Sequence, residues 1–139
     1  MLPSGLPERV QDSEDLARFL TQSNQYSSTG LKALAFLPNP HTQDVSVSRH
    51  GAAPLEGLRA LGIAATPGRT LHGAAIVGAH VVRKEGLLVD SDEDPPAGPR
   101  HALIHGWPLY SGDLQMQKAR HKEIALVLAR HAGAMIPLN

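Results

Sequence analysis

At 139 residues the chain suits one domain, and its 13 glycines and 11 prolines argue for short elements joined by turns rather than a helical bundle. Formal net charge is zero, with six basic and six acidic groups in residues 1–70 and seven of each in 71–139, so no global field draws in nucleic acid nonspecifically. The absence of cysteine excludes disulfides and thiolate metal sites and is compatible with a reducing compartment.

Residues 1–11 contain Pro3, Gly5 and Pro7, which discourage regular structure, and are expected as a flexible N-terminal arm. The start shows no basic segment followed by an apolar one, and no run approaches the roughly 18 apolar residues of a membrane span. The expected setting is therefore a soluble protein of the cytoplasm with no membrane contact. Asp12-Ser13-Glu14-Asp15 reads as a helix start, predicting a helix over 13–20 with Leu16, Phe19 and Leu20 on one face and Arg18 off it. Residues 21–30 are a polar loop. Residues 33–37 end abruptly at Pro38 and read as a strand.

Residues 45–50 alternate strictly. The alternation predicts a strand with Val45, Val47 and Arg49 on one face and Ser46, Ser48 and His50 on the other. An arginine in register with two valines either reaches water at the strand end or enters a cleft to hold an anion. A helix follows over 54–61, with Pro54 in its first turn and Gly62 as its stop. Extended segments are expected at 73–77, 79–83 and 87–89. The acidic loop 90–96 lacks the glycine and distant glutamate of a calcium-binding loop and reads as a solvated turn.

Proline and glycine bracket the stretch Pro99–Pro108, which holds the only tryptophan, Trp107. Five residues between such punctuation favour a strand over 101–105, with His101 and His105 on one face and Ala102 and Ile104 packed behind. Trp107 covers the core edge or one wall of a cleft. The last helix, 113–132, is capped by Ser111 or Asp113 and stopped by Gly133, and carries a solvated basic patch of Lys118, Arg120, His121 and Lys122. Together these segments predict an α+β fold over 12–139. Its small, mostly antiparallel sheet of short strands is packed by a long C-terminal helix and two shorter helices.

Three functional readings stay open. Two histidines on one cleft can act as general acid and base, and a neighbouring cation can stabilise an anion. That combination suits a metal-independent phosphoesterase or ribonuclease. Eight histidines also permit a ligand set of His72, His101 and His105, although no H-E-x-x-H occurs and no metal or other cofactor is assigned. The leading reading is a small binding or regulatory module, in which the histidines are surface residues or satisfied hydrogen-bonding groups at strand ends; the partner the chain as a whole allows is a small anionic or nucleotide ligand. His41, His50, His121 and His131 are expected to be exposed.

The run Leu71-His72-Gly73 and the later Pro99-Arg100-His101-Ala102-Leu103-Ile104-His105-Gly106-Trp107-Pro108 resemble an uncharacterised family of short bacterial proteins with L-H-G and P-x-H-A-x-I-x-G-W-P motifs. Ala17-Arg18-Phe19, Ala35–Pro38 and Ser46–Arg49 are similar to it as well, so the resemblance covers most of residues 17–130. It departs at Ala97-Gly98 and after Pro108. It implies that Arg18, Lys32, Arg49, His72 and His101 belong to one set, and it implies no activity. Applied to that set, acid–base chemistry of the phosphoesterase or ribonuclease kind falls to His72, His101, Arg49 and Lys32 as catalytic residues, with Arg18, His105 and Trp107 as binding residues.

Overall fold

The structure, a computed structural model, describes residues 2–50 and 55–139. In chain order the elements are β1 (Asp15–Leu20), a small hairpin of β2 (Tyr26–Ser27) and β3 (Gly30–Leu31), β4 (Val45–Arg49), α1 (Leu55–Ala65), β5 (Gly73–Gly78), α2 (Ala79–Lys84), β6 (Leu88–Ser91), β7 (His101–His105), α3 (Leu114–Ala132) and β8 (Ile136–Pro137). Six strands make one sheet in the order β6-β7-β4-β1-β5-β8, and every pair is antiparallel. The fold is α+β.

β1 is the main departure from the sequence-based reading, which expects a helix over 13–20. It pairs with β5 along its whole length and with β4 at one end. It buries Leu16 and Leu20 on one face and Ala17 and Phe19 on the other. A strand covered on both faces loses the polar alternation that marks a half-exposed one. Three smaller departures have local causes. Residues 33–36 form a 3-10 turn that drives Ala35 and Phe36 into the core, not a strand. Residues 79–84 form a helix, whose Ala79 and Val82, three apart, share the buried side. Helix α1 passes through Gly62 to Ala65. A Cβ at Gly62 would lie 2.7 Å from Leu71 Cδ2 and 2.9 Å from the Phe19 ring, so this glycine permits close helix–sheet approach and stops nothing. Pro54, expected in the first turn, lies outside the described residues.

The first face of the sheet carries Leu16, Leu20, Val45, Val47, Ala102 and Ile104, packed against Phe36 and against Ile124, Ala125 and Leu128 of α3. The second face packs Ala17, Phe19 and Ala74 against Leu58 of α1 and against Leu138. β4 and β7 behave as their alternation requires: Ala102 and Ile104 are fully buried while His101 and His105 share the other side. Asp113 caps α3 by accepting from the Met116 N–H, and Gly133 ends it with φ of 77°.

Residues 2–11 hold no helix or strand, as their prolines and glycine dictate, yet they are fastened to the sheet. Ser4 donates from N and Oγ to Glu93, Ser91 Oγ donates to the Glu8 carbonyl, and Arg83 reaches the Val10 carbonyl and Asp12. Val10 is buried in the main core.

Candidate functional site: a cationic cleft where β1 and β4 part

β1 and β4 pair only at Leu16–Arg49 and Ala17–Ser48 and then diverge. Along this divergence lies a cleft of about 790 Å³, bounded by the 34–44 segment on one side and by residues 65–69 after α1 on the other. That volume falls within the range of small-molecule sites, about 300–1,000 Å³.

Arg18 sits at the point of divergence. Its Nε donates to the Ala35 carbonyl at 2.9 Å and its Nη1 to the Ser46 carbonyl at 3.1 Å. The strands would have satisfied Ser46 O by a ladder bond had they stayed paired; the guanidinium replaces that donor. Two backbone carbonyls therefore fix Arg18, and no carboxylate neutralises it among the described residues. Arg69 also lines the cleft. Burial first, and the Arg69 charge second, hold the Arg18 guanidinium below its ordinary pKa.

His101 borders the same cleft. Its Nδ1 lies 3.0 Å from the Asp92 carbonyl oxygen and 3.2 Å from Asp92 Oδ2. Both are acceptors, so Nδ1 carries the proton and, in the neutral ring, Nε2 is left as an acceptor. No described residue bonds to Nε2. Ser48, opposite His101 in the ladder, also lines the cleft. The Arg49 N–H donates to the Arg100 carbonyl, which makes Ser48–His101 a non-hydrogen-bonded pair, the kind whose side chains stand closest.

The remaining expected residues go elsewhere. Arg49 is neither at the strand end in water nor in the cleft. It is fully buried and forms a bidentate pair with Glu14, both bonds 2.7 Å, with a third bond to the Pro7 carbonyl. Arg49 therefore stitches the N-terminal segment to the sheet. Lys32 is exposed at the start of the 33–36 turn and does not line the cleft. His105 Nε2 is engaged by Asp90 Oδ2 at 2.5 Å on the exposed side of β7. Trp107 is buried in the main core, its ring edge-on to His121 with centroids 5.5 Å apart. His121 is likewise buried, its Nε2 donating to the Pro108 carbonyl at 2.7 Å, and is not the solvated residue its basic neighbours suggest. His50 is buried too, and no described residue partners its ring nitrogens. Burial, then the nearby Arg100 charge, depress its pKa against the opposing pull of Asp15.

His72 and His101 do not meet. His72 bonds through Nδ1 to the Tyr26 hydroxyl at 2.9 Å and borders a separate depression with Thr70 and Asn24. β5 and β7 are separated by β4 and β1, and His101 stands level with Ala17 while His72 stands beyond Leu20. Three strand spacings and about four residues of rise put the two Cα atoms on the order of 20 Å apart. Among the described residues no three His, Asp or Glu side chains come together as a metal ligand set, which separates His72 from His101 and His105 in that role as well.

One cleft residue, Arg69, and one residue that supports the cleft from outside, Asp92, carry no signal of periodicity. Arg69 lies in a turn and Asp92 in an acidic loop; only the fold reveals that one faces Arg18 and the other orients His101. The fold and the cleft define an antiparallel α+β domain with a cationic site beside its central strand. No family model matches the sequence, and neither a curated protein nor a solved structure is similar to it.

Proposed function

We propose that the protein is a small binding module whose cleft takes a low-molecular-weight anionic ligand, such as a phosphorylated small molecule. One observation carries this reading: Arg18 is fixed by two backbone carbonyls beside Arg69, with neither guanidinium paired to a carboxylate among the described residues. Arg49, Arg83 and Arg120 each have a carboxylate partner, and Arg59 and Arg100 bond to backbone carbonyls as Arg18 does, but neither of those two lines the cleft. Holding two like charges at one partly buried place raises the energy of the free protein and lowers it again when an anion binds. The family resemblance groups Arg18 with His101, and those are the two members of that set that line this cleft. A cytoplasmic, soluble setting belongs to the same proposal; the lack of cysteine is compatible with it. No helix among the described residues is long and apolar enough to cross a membrane.

The test is calorimetric titration with inorganic phosphate, pyrophosphate and a dicarboxylate. Arg69→Gln is the informative variant, because the Arg69 side chain bonds to no described residue and its backbone bond to Thr66 survives the change. Saturable binding that weakens roughly tenfold in Arg69→Gln supports the site, the loss matching a charged hydrogen bond of about 1.5 kcal/mol. Absence of binding by any anion, or affinity unchanged in the variant, removes it.

A further inference from the structure

We infer that the ligand of this cleft is a phosphorylated polyhydroxy compound, of the sugar-phosphate or nucleotide class, whose hydroxyl donates to His101 Nε2. This rests on the anion-binding reading above and extends it from charge to specificity.

The argument starts from the polarity of His101. Asp92 presents its carbonyl oxygen at 3.0 Å and its carboxylate at 3.2 Å to Nδ1, and both can only accept. The proton is therefore fixed on Nδ1, and the neutral ring offers the cleft a lone pair on Nε2. A bare anion has no hydrogen to give to that lone pair. A ligand hydroxyl does, so His101 selects a group different from the one that Arg18 and Arg69 select.

Spacing decides whether one molecule can serve both ends. Arg18 Nη1 bonds to the carbonyl of Ser46, whereas His101 stands opposite Ser48, two residues along β4 and one strand over. Ser46 O faces β1, so the guanidinium lies on the β1 side of β4 while His101 lies on β7 on its other side, and two residues of rise with about two strand spacings place them on the order of 12 Å apart. A single phosphate ion is too small to touch both. A phosphate carried on a ribose or hexose spans the gap, with its charge at the arginines and a ring hydroxyl at His101. Ser48 is across the ladder from His101 and adds a hydroxyl that can donate to, or accept from, the same sugar. The cleft of about 790 Å³ leaves room for such a ligand.

The histidine–carboxylate arrangement also resembles the one that orients a general base. Among the described residues no second histidine borders the cleft, since His72 lies apart beside Tyr26 and His105 is engaged by Asp90, and the one carboxyl that lines it, Asp44, accepts from the Thr42 hydroxyl. The observations therefore favour recognition over turnover.

The experiment compares three probes on the intact protein by calorimetry: inorganic phosphate, n-butyl phosphate and ribose 5-phosphate. Butyl phosphate matches the reach without a hydroxyl. Ribose 5-phosphate is expected to bind roughly tenfold more tightly than butyl phosphate, the worth of one to two neutral hydrogen bonds. His101→Leu should abolish that preference, so that ribose 5-phosphate binds no more tightly than butyl phosphate, and Asp92→Ala should reduce it through the lost orientation of the ring. Should all three probes bind alike in the wild-type protein, the sugar inference fails and the anion cleft stands. A His101→Leu variant that weakens phosphate and ribose 5-phosphate equally overturns the inference in the same way. If no probe binds, the anion-binding reading falls with it. The wild-type comparison of butyl and ribose phosphates decides the question even if either variant folds poorly.

Discussion

Replacing Glu14 by Gln tests whether Arg49 holds the fold or serves the site. Arg49 is fully buried, and its Nε and Nη2 each meet a Glu14 carboxylate oxygen at 2.7 Å. Glutamine keeps the shape but removes the charge: its Oε1 can still accept one of the two bonds, while its NH2 meets the other N–H donor, leaving a desolvated guanidinium with one amide oxygen and the Pro7 carbonyl. Breaking one side of a buried ion pair costs about 3–5 kcal/mol. Glu14 retains 15% exposure, so water recovers part of the interaction and the lower end, about 3 kcal/mol, applies. At about 2.1 cal/mol/K per residue, a 139-residue domain has an unfolding entropy near 0.29 kcal/mol/K. The expected loss in Tm is therefore roughly 10 °C, read by circular dichroism or calorimetry. The double variant Glu14→Leu/Arg49→Met should recover at least half of it, because neither charge then remains buried alone. Below the transition, the affinity of Arg49→Met for phosphate should equal that of the wild type, since Arg49 does not line the cleft. A Glu14→Gln shift under about 3 °C, the scale of an exposed pair, would falsify the structural role. Lost affinity in a folded Arg49→Met protein would return Arg49 to the site.

The acid limb of stability should have two parts. The native His50 pKa is depressed, so its contribution is present above the unfolded value of 6.5 and is lost as pH falls below it; His50→Leu should flatten that part of a Tm-versus-pH curve. Native Glu14 and Glu93 are also depressed, Glu93 by its Ser4 and Arg100 hydrogen bonds and the Arg49 charge against the opposing effect of burial, so a second loss begins as pH falls below 4.5, and Glu93→Gln should shrink it. Gly62→Ala should destabilise by about 1–3 kcal/mol through overpacking on Phe19 and Leu71, although alanine is the better helix former; a rise in Tm would refute the close approach. Asp113→Ala should cost about 1 kcal/mol by leaving the Met116 N–H uncapped, seen as a Tm about 3–4 °C lower.

β7 and the last helix were legible because each has one dry side, whereas the two-residue edge strand β8 carries too short a pattern to be read. β7 alternates histidine with Ala102 and Ile104 because only one of its faces meets the core, and α3 announces itself by Asp113 and Gly133. β1 was not legible, since a strand covered on both sides shows no alternation and its Leu16, Phe19 and Leu20 coincide with a helical stripe. The same physics hid Arg49. An arginine in register with valines marks a buried partner as well as an anion site, and that partner, Glu14, lies 35 residues upstream in a segment expected to be a helix start. The grouping of Arg18 with His101 comes from the family resemblance. Their relation could not be read from spacing, because it depends on β1 and β4 pairing at two positions and then separating.

That separation also explains how a chain of zero net charge can hold a cationic site. Charge balance is global, whereas pairing is decided locally. Glu14 is committed to Arg49, Asp12 to Arg83, Asp90 to His105 and Glu123 to Arg120. Asp44 lines the cleft, its Oδ1 accepting from the neutral Thr42 hydroxyl at 2.8 Å, a bond that cancels no charge, so the cleft holds two arginines against one carboxylate. Arg18 is instead anchored by carbonyl oxygens that the parted strands leave open. Neutral acceptors fix its position without cancelling its charge, so the guanidinium is ordered before a ligand arrives and the entropy of ordering it is not charged against binding. A carboxylate in place of the Ser46 carbonyl would hold Arg18 as firmly and abolish the site. Divergence of two strands thus supplies both the space of the cleft and the neutral acceptors that keep its charge available.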